Sequence, residues 1–370
     1  METIRAFFHP RVEDGGNPML VALSLLLSAL WLPNGAAQVG PVPGTQSIRP
    51  VFERSSIVCL CLVQSVDVGP IKPAADFAKT KVFDRQVIIH VDGKRMYKTD
   101  RPDEGEIVVQ LTEQVGAASP ARTVLDPGDT ALLFLSHISA TTYEFGDRFL
   151  GVTRFAAVPS QVHGPGLSGL ESDLALLALS GNKEDCLNAL RLLQGFDSLT
   201  QDSLAKVAGL SSSKDPELAF ASLAILLKTG TPSAVEKLRR YLQTYRGDSQ
   251  PISLVSISAE LGQFTDEVAL EDVEALASSR YQGIRYGAMQ SLRKMKNVRS
   301  IPVIVRRLDD SDSTVQYLAV ISLAEMMGKY DGDFAPTMYL FDNKPQYYTS
   351  LWKKWWEEEG KSRYAAKPQN

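Results

Sequence analysis

The spacing of the hydrophobic residues changes once along the chain. Between residues 56 and 158, short apolar runs rich in β-branched residues are separated by turn sequences, which predicts β-strands. From residue 170 onward, apolar residues recur every three or four positions, which predicts amphipathic helices. We therefore expect a small all-β barrel or sandwich followed by an all-α superhelix.

Five or six strands are expected in the β part. The predicted strands are residues 56–68, 82–91, 106–113, 130–138 and 149–158. Asp92 and Gly93 form a tight-turn sequence, which predicts a hairpin leading into residues 94–98. Residues 126–129 carry Pro and Gly at the central positions of another turn. Because no helix falls between these strands, they should close into a barrel or pack as a sandwich.

One apolar stripe recurs in the helical part. Ile284 begins a set of apolar residues at offsets 0, +4, +8 and +11, which places the set on one face of a helix. The same offsets begin again at Val315, 31 residues later, and also at Leu218 and Ser253. A two-helix unit that recurs at roughly 30–47 residues is typical of an α-solenoid, in which each unit buries its apolar face against its neighbours.

The predicted domain organisation has six segments. These are a signal peptide (1–37), a linker (38–50), the β-domain (51–160), a second linker (161–169), helical repeats (170–330) and a capping helix with its tail (331–370). The joint at 159–169 is rich in Pro, Gly and Ser, and few contacts are expected to cross it. In the last segment, Tyr348, Leu351, Trp352 and Trp355 share one helical side. We interpret that helix as the cover of the open end of the array, with a binding platform as the alternative.

The N-terminus has the pattern of an export signal. Two arginines precede an apolar run, residues 19–32, and Gly35 and Ala37 provide small residues before a cleavage site at Gln38. The run of 14 residues is shorter than the roughly 20 that cross a bilayer as a helix. We expect an exported protein, periplasmic or secreted, with no membrane span after cleavage. An uncleaved N-terminal membrane anchor is the alternative.

Charge and cysteine content narrow the classes of function. A net charge of −4 argues against a nucleic-acid or anionic-membrane binder. Cys59 and Cys61 lie two apart in a predicted strand, so they point to one face and are poorly placed to bond each other. With Cys186 they are interpreted as buried free thiols rather than as a disulfide framework or a zinc site.

The sequence contains none of the usual catalytic motifs. It has no HExxH, GxSxG, GxGxxG or P-loop spacing and no calcium-loop spacing. His90 and His137 fall in predicted strands, and the aspartates of residues 308–312 fit a turn with a helix cap. Basic residues of the helical part, Arg285 among them, are interpreted as solvated outer rows of the repeats. We expect no enzyme activity, no catalytic residues, no cofactor and no metal.

The helical part resembles HEAT repeats. Residues 308–316, followed by Ala319 and Leu323, are similar to the run LxDxDxxVRxxAxxAL of that family. Gln316 stands where the family usually has arginine, and Arg285 fills that place one unit earlier. The resemblance implies a curved α-superhelix that binds other macromolecules.

The β part resembles the netrin-like, OB-type barrels of some exported proteins. The residues that carry this resemblance are 57–68, 87–91 and 125–135. The tissue inhibitors of metalloproteinases, one branch of that family, chelate the protease zinc through an N-terminal cysteine. Here the first cysteine, Cys59, lies inside a strand, so the resemblance does not imply inhibition.

The HEAT resemblance implies which residues could bind a partner. Its inner helices line the concave side, and offsets +2 and +9 from the buried stripe select Tyr286, Arg293 and Tyr317 as exposed candidates. Tyrosine and arginine are enriched at interaction hot spots. The expected function is an exported, non-enzymatic scaffold or adaptor that binds a protein and no nucleic acid. The alternative is an envelope enzyme or inhibitor whose active part is the β-domain, with the helices as a positioning arm.

Overall fold

The chain folds as a β-barrel followed by an all-helical region, as the change in hydrophobic spacing predicts. The structure is a computed structural model and describes residues 47–73, 82–100, 107–116, 125–139, 142–146, 152–159, 161, 163–247, 253–331 and 333–364. All of these belong to one unit of the chain, Gly44–Asn370. The predicted signal peptide and most of the predicted linker 38–50 lie outside the described residues.

Five strands of the β part close into a barrel. The described residues contain seven strands: β1 (Ile57–Val68), β2 (Lys72–Pro73), β3 (Val82–Lys98), β4 (Ile107–Gly116), β5 (Thr130–His137), β6 (Thr142–Phe145) and β7 (Val152–Phe155). The five that close are β1, β3, β4, β5 and β6. Their order β1-β3-β4-β6-β5 returns to the start because β5 also pairs with β1. Within this ring β4 and β6 are parallel and the other neighbours are antiparallel. The short strands β2 and β7 pair with β3 and β5 outside the ring.

The hairpin predicted at Asp92 and Gly93 is wrong. β3 continues through both residues and pairs with β1 on each side of them. The register shifts at this point, and Lys94 is left as the extra residue of a β-bulge. A Cβ atom on Gly93 would lie 2.8 Å from the sulfur of Met96, so glycine allows this close approach. The Asp-Gly pair therefore bends a long strand instead of ending it.

Strand β6 was not predicted, although the barrel cannot close without it. It has only four residues, too few to show an alternating pattern. Its Tyr143 is fully buried, and the strand lies between β4 and β5. Pairing with two neighbours therefore determines this strand more than its own sequence does.

Fourteen α-helices are present among the described residues. They are α1 (Ile48–Arg54), α2 (Leu167–Leu177), α3 (Lys183–Gln194), α4 (Gln201–Leu210), α5 (Pro216–Lys228), α6 (Pro232–Thr244), α7 (Ser253–Leu261), α8 (Leu270–Leu276), α9 (Gln282–Met295), α10 (Ile301–Arg306), α11 (Ser313–Met327), α12 (Met338–Asn343), α13 (Pro345–Trp355) and α14 (Lys361–Tyr364). A π-helical turn, Trp356–Gly360, joins the last two. Helix α1 begins at Ile48, inside the segment predicted as linker up to residue 50, because Ile48 and Val51 are buried in the core.

The helices after the barrel form two rows. In the first row each helix packs on the next, in the order α3, α5, α7, α9, α11 and α13. Helices α2, α4, α6, α8 and α10 belong to the second row, and each packs against a helix of the first. The predicted apolar stripe faces the interior of this array. Its fully enclosed members in α9 and α11 are Ile284, Ala288, Leu292, Val315, Ala319 and Leu323.

Three helices of the array begin at side-chain caps. Thr200 and Asp215 accept backbone N–H groups at the starts of α4 and α5, with Pro216 in the first turn. Asp312 does the same for α11, accepting from Thr314 N at 3.0 Å. Asp312 is thus the predicted cap and Asp310 accepts from Asp312 N in the turn before it, whereas Asp309 pairs with Lys353.

The helix predicted as a cap lies at the end of the array. Helix α13 packs on α11, and Trp352 and Trp355 are buried. The indole N–H of Trp352 donates to the carbonyl of Phe334 at 3.0 Å, and Lys353 pairs with Asp309. These contacts are those expected of a cap, and the capping role of this helix stays a prediction.

The outer side of the barrel packs into the hydrophobic core of the helical region. Alternate residues of β1 and β5 point into the barrel and form its interior core. The residues between them pack outward into the core of the helices, which includes residues of α2 and α3; they are Val58, Leu60, Leu132 and Phe134. The expectation that few contacts cross the joint at 159–169 is therefore wrong. Both faces of these two strands are covered, because helices lie on the outer side of the barrel.

Polar groups also bridge the two parts. The hydroxyl of Tyr97 on β3 donates to Asp173 of α2 at 2.7 Å, and Ala156 N donates to Asp185 of α3 at 2.7 Å. The amide of Asn188 donates to the carbonyl of Arg154 at 3.1 Å. These bonds fix the orientation of the barrel on the first two helices.

Candidate functional site

The three residues predicted to bind a partner lie on neighbouring helices of the first row. Tyr286 and Arg293 are two turns apart on α9, and Tyr317 lies on α11. All three are half-buried, not exposed as expected. The structure therefore brings the predicted residues onto adjacent helices, but it also gives each of them contacts within the chain.

Arg293 is held by an ion pair between α9 and α11. Its Nε donates to Glu325 Oε2 at 2.9 Å, and its Nη2 donates to the other carboxylate oxygen. This fork-to-carboxylate geometry orients the guanidinium more strictly than a single contact does. Tyr286 is oriented in a similar way, because its hydroxyl accepts from Gln290 Nε2 at 2.7 Å.

The pKa of both predicted tyrosines lies above the usual value for tyrosine. Burial raises the pKa of Tyr286 and of Tyr317, and the charge of Arg293 partly offsets this rise for each. The carboxylates of Glu325 and Asp342 raise the pKa of Tyr317 further. Both hydroxyl groups therefore stay protonated at neutral pH and can donate hydrogen bonds.

Aromatic side chains continue this cluster toward the C-terminus. The ring of Tyr317 lies 5.5 Å from that of Phe341, which stacks in turn on Tyr348 at 6.2 Å. Tyr339 of α12 is 76 % exposed. We call the outer part of this region the C-terminal aromatic surface, defined by Tyr286, Arg293, Tyr317, Tyr330, Tyr339, Leu340 and Tyr347.

A buried ion pair holds α9 against the segment that precedes α11. The side chain of Arg285 donates to Asp310 through Nη2 at 2.8 Å and Nε at 2.9 Å. Its Nη1 donates to the carbonyls of Ser279 and Arg280. The interpretation of Arg285 as part of a solvated outer row is therefore wrong, because this residue is only 8 % exposed. It joins one repeat to the next.

A second polar cluster, at the junction of barrel and helices, was not predicted. Arg95 and Tyr97 come from β3, His163 precedes α2, and Asp173 lies within it. Residues so distant in the sequence show no common spacing. The one available signal is Asp173 itself, a charged residue beside Leu174 on the buried side of an apolar helix.

The three cysteines are buried free thiols, as predicted. Cys59 and Cys61 both face the barrel interior. A hydrogen bond with Cys61, together with burial, raises the pKa of the Cys59 thiol well above its usual value. This thiol is therefore unreactive at neutral pH.

The described residues contain neither a metal-binding cluster nor a helix suited to crossing a membrane. No group of three or more His, Cys, Asp or Glu side chains in this part of the chain is arranged to hold a metal ion. No helix within the described ranges is both long enough and apolar enough to cross a membrane. In comparisons with known proteins, no family model and no curated protein sequence matches the chain.

Proposed function

We propose that this chain is an exported, non-enzymatic scaffold that binds a protein partner through its C-terminal aromatic surface. The observation that carries the proposal is that Tyr286, Arg293 and Tyr317 lie on adjacent helices. The sequence repeat alone selects these three residues. Side chains already held by intramolecular contacts lose less entropy when a partner binds. Tyrosine and arginine in such settings are frequent anchors of protein interfaces.

The fold supports the class of protein proposed, which is a binding scaffold. Two rows of helices with a 31-residue recurrence between α9 and α11 support a HEAT-like solenoid, and such arrays offer extended surfaces to macromolecules. The order of the five barrel strands supports an OB-type barrel, which is a five-stranded Greek-key fold. The fold alone does not define the partner, so the proposal depends on the surface.

Site-specific photo-crosslinking in the cells that naturally make the protein tests this proposal. A photo-reactive phenylalanine analogue replaces Tyr339 in one strain and Val268 in another. Val268 is a matched control because it is also highly exposed but lies in the turn before α8, in the second row. We expect one discrete protein adduct from position 339 and none from position 268, identified by mass spectrometry.

The adduct should also depend on the predicted anchors. The double variant Tyr286→Ala, Tyr317→Ala should lose at least tenfold of the crosslinked product while the chain stays folded by circular dichroism. Equal crosslinking at positions 339 and 268, or no protein adduct at either, would contradict the proposal.

A further inference from the structure

A cleft of about 570 Å³ opens between the barrel and the start of the helical region. Its walls combine apolar side chains with basic ones. The lining residues that matter here are Leu62, Met96, Val158, Thr130, Arg95 and His163. None of them belongs to the C-terminal aromatic surface, so this junction cleft is a separate feature of the molecule.

Arg95 is the unusual member of the lining. Its side chain is only 10 % exposed, yet neither Nε nor Nη1 has a hydrogen-bond partner in the described part of the chain. Nη2 donates to the carbonyl of Pro159, and Nε lies 3.5 Å from Asp173 Oδ2. Buried donors without a partner are costly, so a site that retains them is prepared to receive an acceptor.

Asp173 and Tyr97 orient Arg95 and His163, and neither of them binds Nη1 of Arg95. Asp173 accepts the hydroxyl of Tyr97 at 2.7 Å and binds Nδ1 of His163 at 2.6 Å. Burial and this bond to Asp173 raise the pKa of Tyr97, which keeps the phenol as a donor. The Asp173 carboxylate is thereby occupied, and Nε2 is the ring nitrogen of His163 left for a ligand.

We propose that the junction cleft binds a small organic carboxylate with an apolar body. The carboxylate accepts from Arg95 Nη1, because a guanidinium binds a carboxylate with strong, directional hydrogen bonds. The apolar body lies against Leu62, Met96 and Val158. Pockets of this size that combine apolar walls with a few convergent polar groups are typical of small-molecule sites.

Calorimetric titration of the full chain with hexanoate tests the site, with hexanol and inorganic phosphate as comparison probes. We expect saturable binding of one hexanoate per chain, and at least tenfold weaker binding of hexanol and of phosphate. Arg95→Gln should weaken hexanoate binding at least tenfold, about 1.4 kcal/mol. Arg307→Gln is the matched control, because Arg307 also has a buried Nε without a hydrogen-bond partner among the described residues but lies in the helical array. It should leave the affinity unchanged.

A second variant keeps the test decisive if Arg95→Gln does not fold. Val158→Trp fills the cleft and leaves the guanidinium in place, so it should abolish hexanoate binding. Undiminished affinity in Val158→Trp would overturn the proposal. So would the absence of saturable hexanoate binding to the unmodified chain at millimolar concentration, equal affinity for hexanol, or tighter binding of phosphate than of hexanoate.

Discussion

The β-barrel and the helical region should not separate after the chain is cut between them. Four apolar side chains on the outer side of the barrel are buried against the helices: Val58, Leu60, Leu132 and Phe134. Fully burying one such side chain contributes about 1.5–3 kcal/mol, so these four contribute roughly 6–12 kcal/mol. That is comparable to the whole free energy of unfolding of an ordinary domain, about 5–15 kcal/mol.

A protease site inserted after Gln161 allows the measurement. We expect the two cleaved fragments to co-elute in gel filtration and to part only in denaturant. The helical fragment produced alone should aggregate, because it exposes the surface that covers β1 and β5. Two fragments that elute separately and remain folded by circular dichroism would show that the shared core is dispensable.

Loss of Arg285 should destabilise the protein far more than loss of Arg293, although the two lie on the same helix. Arg285 and Asp310 are both buried, and removing one partner of a buried ion pair typically costs about 3–5 kcal/mol. The side chains of Arg293 and Glu325 are 25 % and 26 % exposed to solvent. A pair that water reaches contributes only about 0–1 kcal/mol.

Urea unfolding of Arg285→Ala and Arg293→Ala separates the two cases. The midpoint of the first variant should fall sharply and that of the second only slightly. Asp310→Ala should be at least as damaging as Arg285→Ala, because it leaves Arg285 buried without a carboxylate, whereas Asp310 keeps a 3.4 Å contact with Arg307 when Arg285 is lost. If the two arginine variants had the same midpoint, the pairing of Arg285 with Asp310 would not be what joins these repeats.

The sequence was most informative where a local pattern and a local interaction coincide. The helix starts at Thr200, Asp215 and Asp312 could be predicted because a cap bonds to the backbone only two or three residues away. The buried stripes of α9 and α11 could be predicted because one helical face repeats every 3.6 residues. The turn at residues 126–129 was predicted for the same reason, since Pro127 restricts φ and Gly128 permits the positive φ of 91° that it adopts.

Prediction failed where partners distant in sequence decide the outcome. Asp92 and Gly93 have the composition of a turn, yet pairing with β1 on both sides keeps the chain extended. The predicted binding residues were correctly grouped on adjacent helices, but their partial burial depends on Glu325 and on the later helix α12. The junction cluster around Asp173 gave no spacing signal at all.

The sequence by itself determined the order of the β and α parts, the helical repeat and its capping residues. These depend on backbone periodicity and on bonds between near neighbours, which any copy of the same local sequence would form. Only the tertiary structure decided that the outer faces of β1 and β5 pack into the core of the helices, that Arg285 is buried and that Arg95 lines a cleft. Those features arise when surfaces far apart in the chain exclude water from each other, and the apolar outer faces of β1 and β5 have no alternative place to be buried.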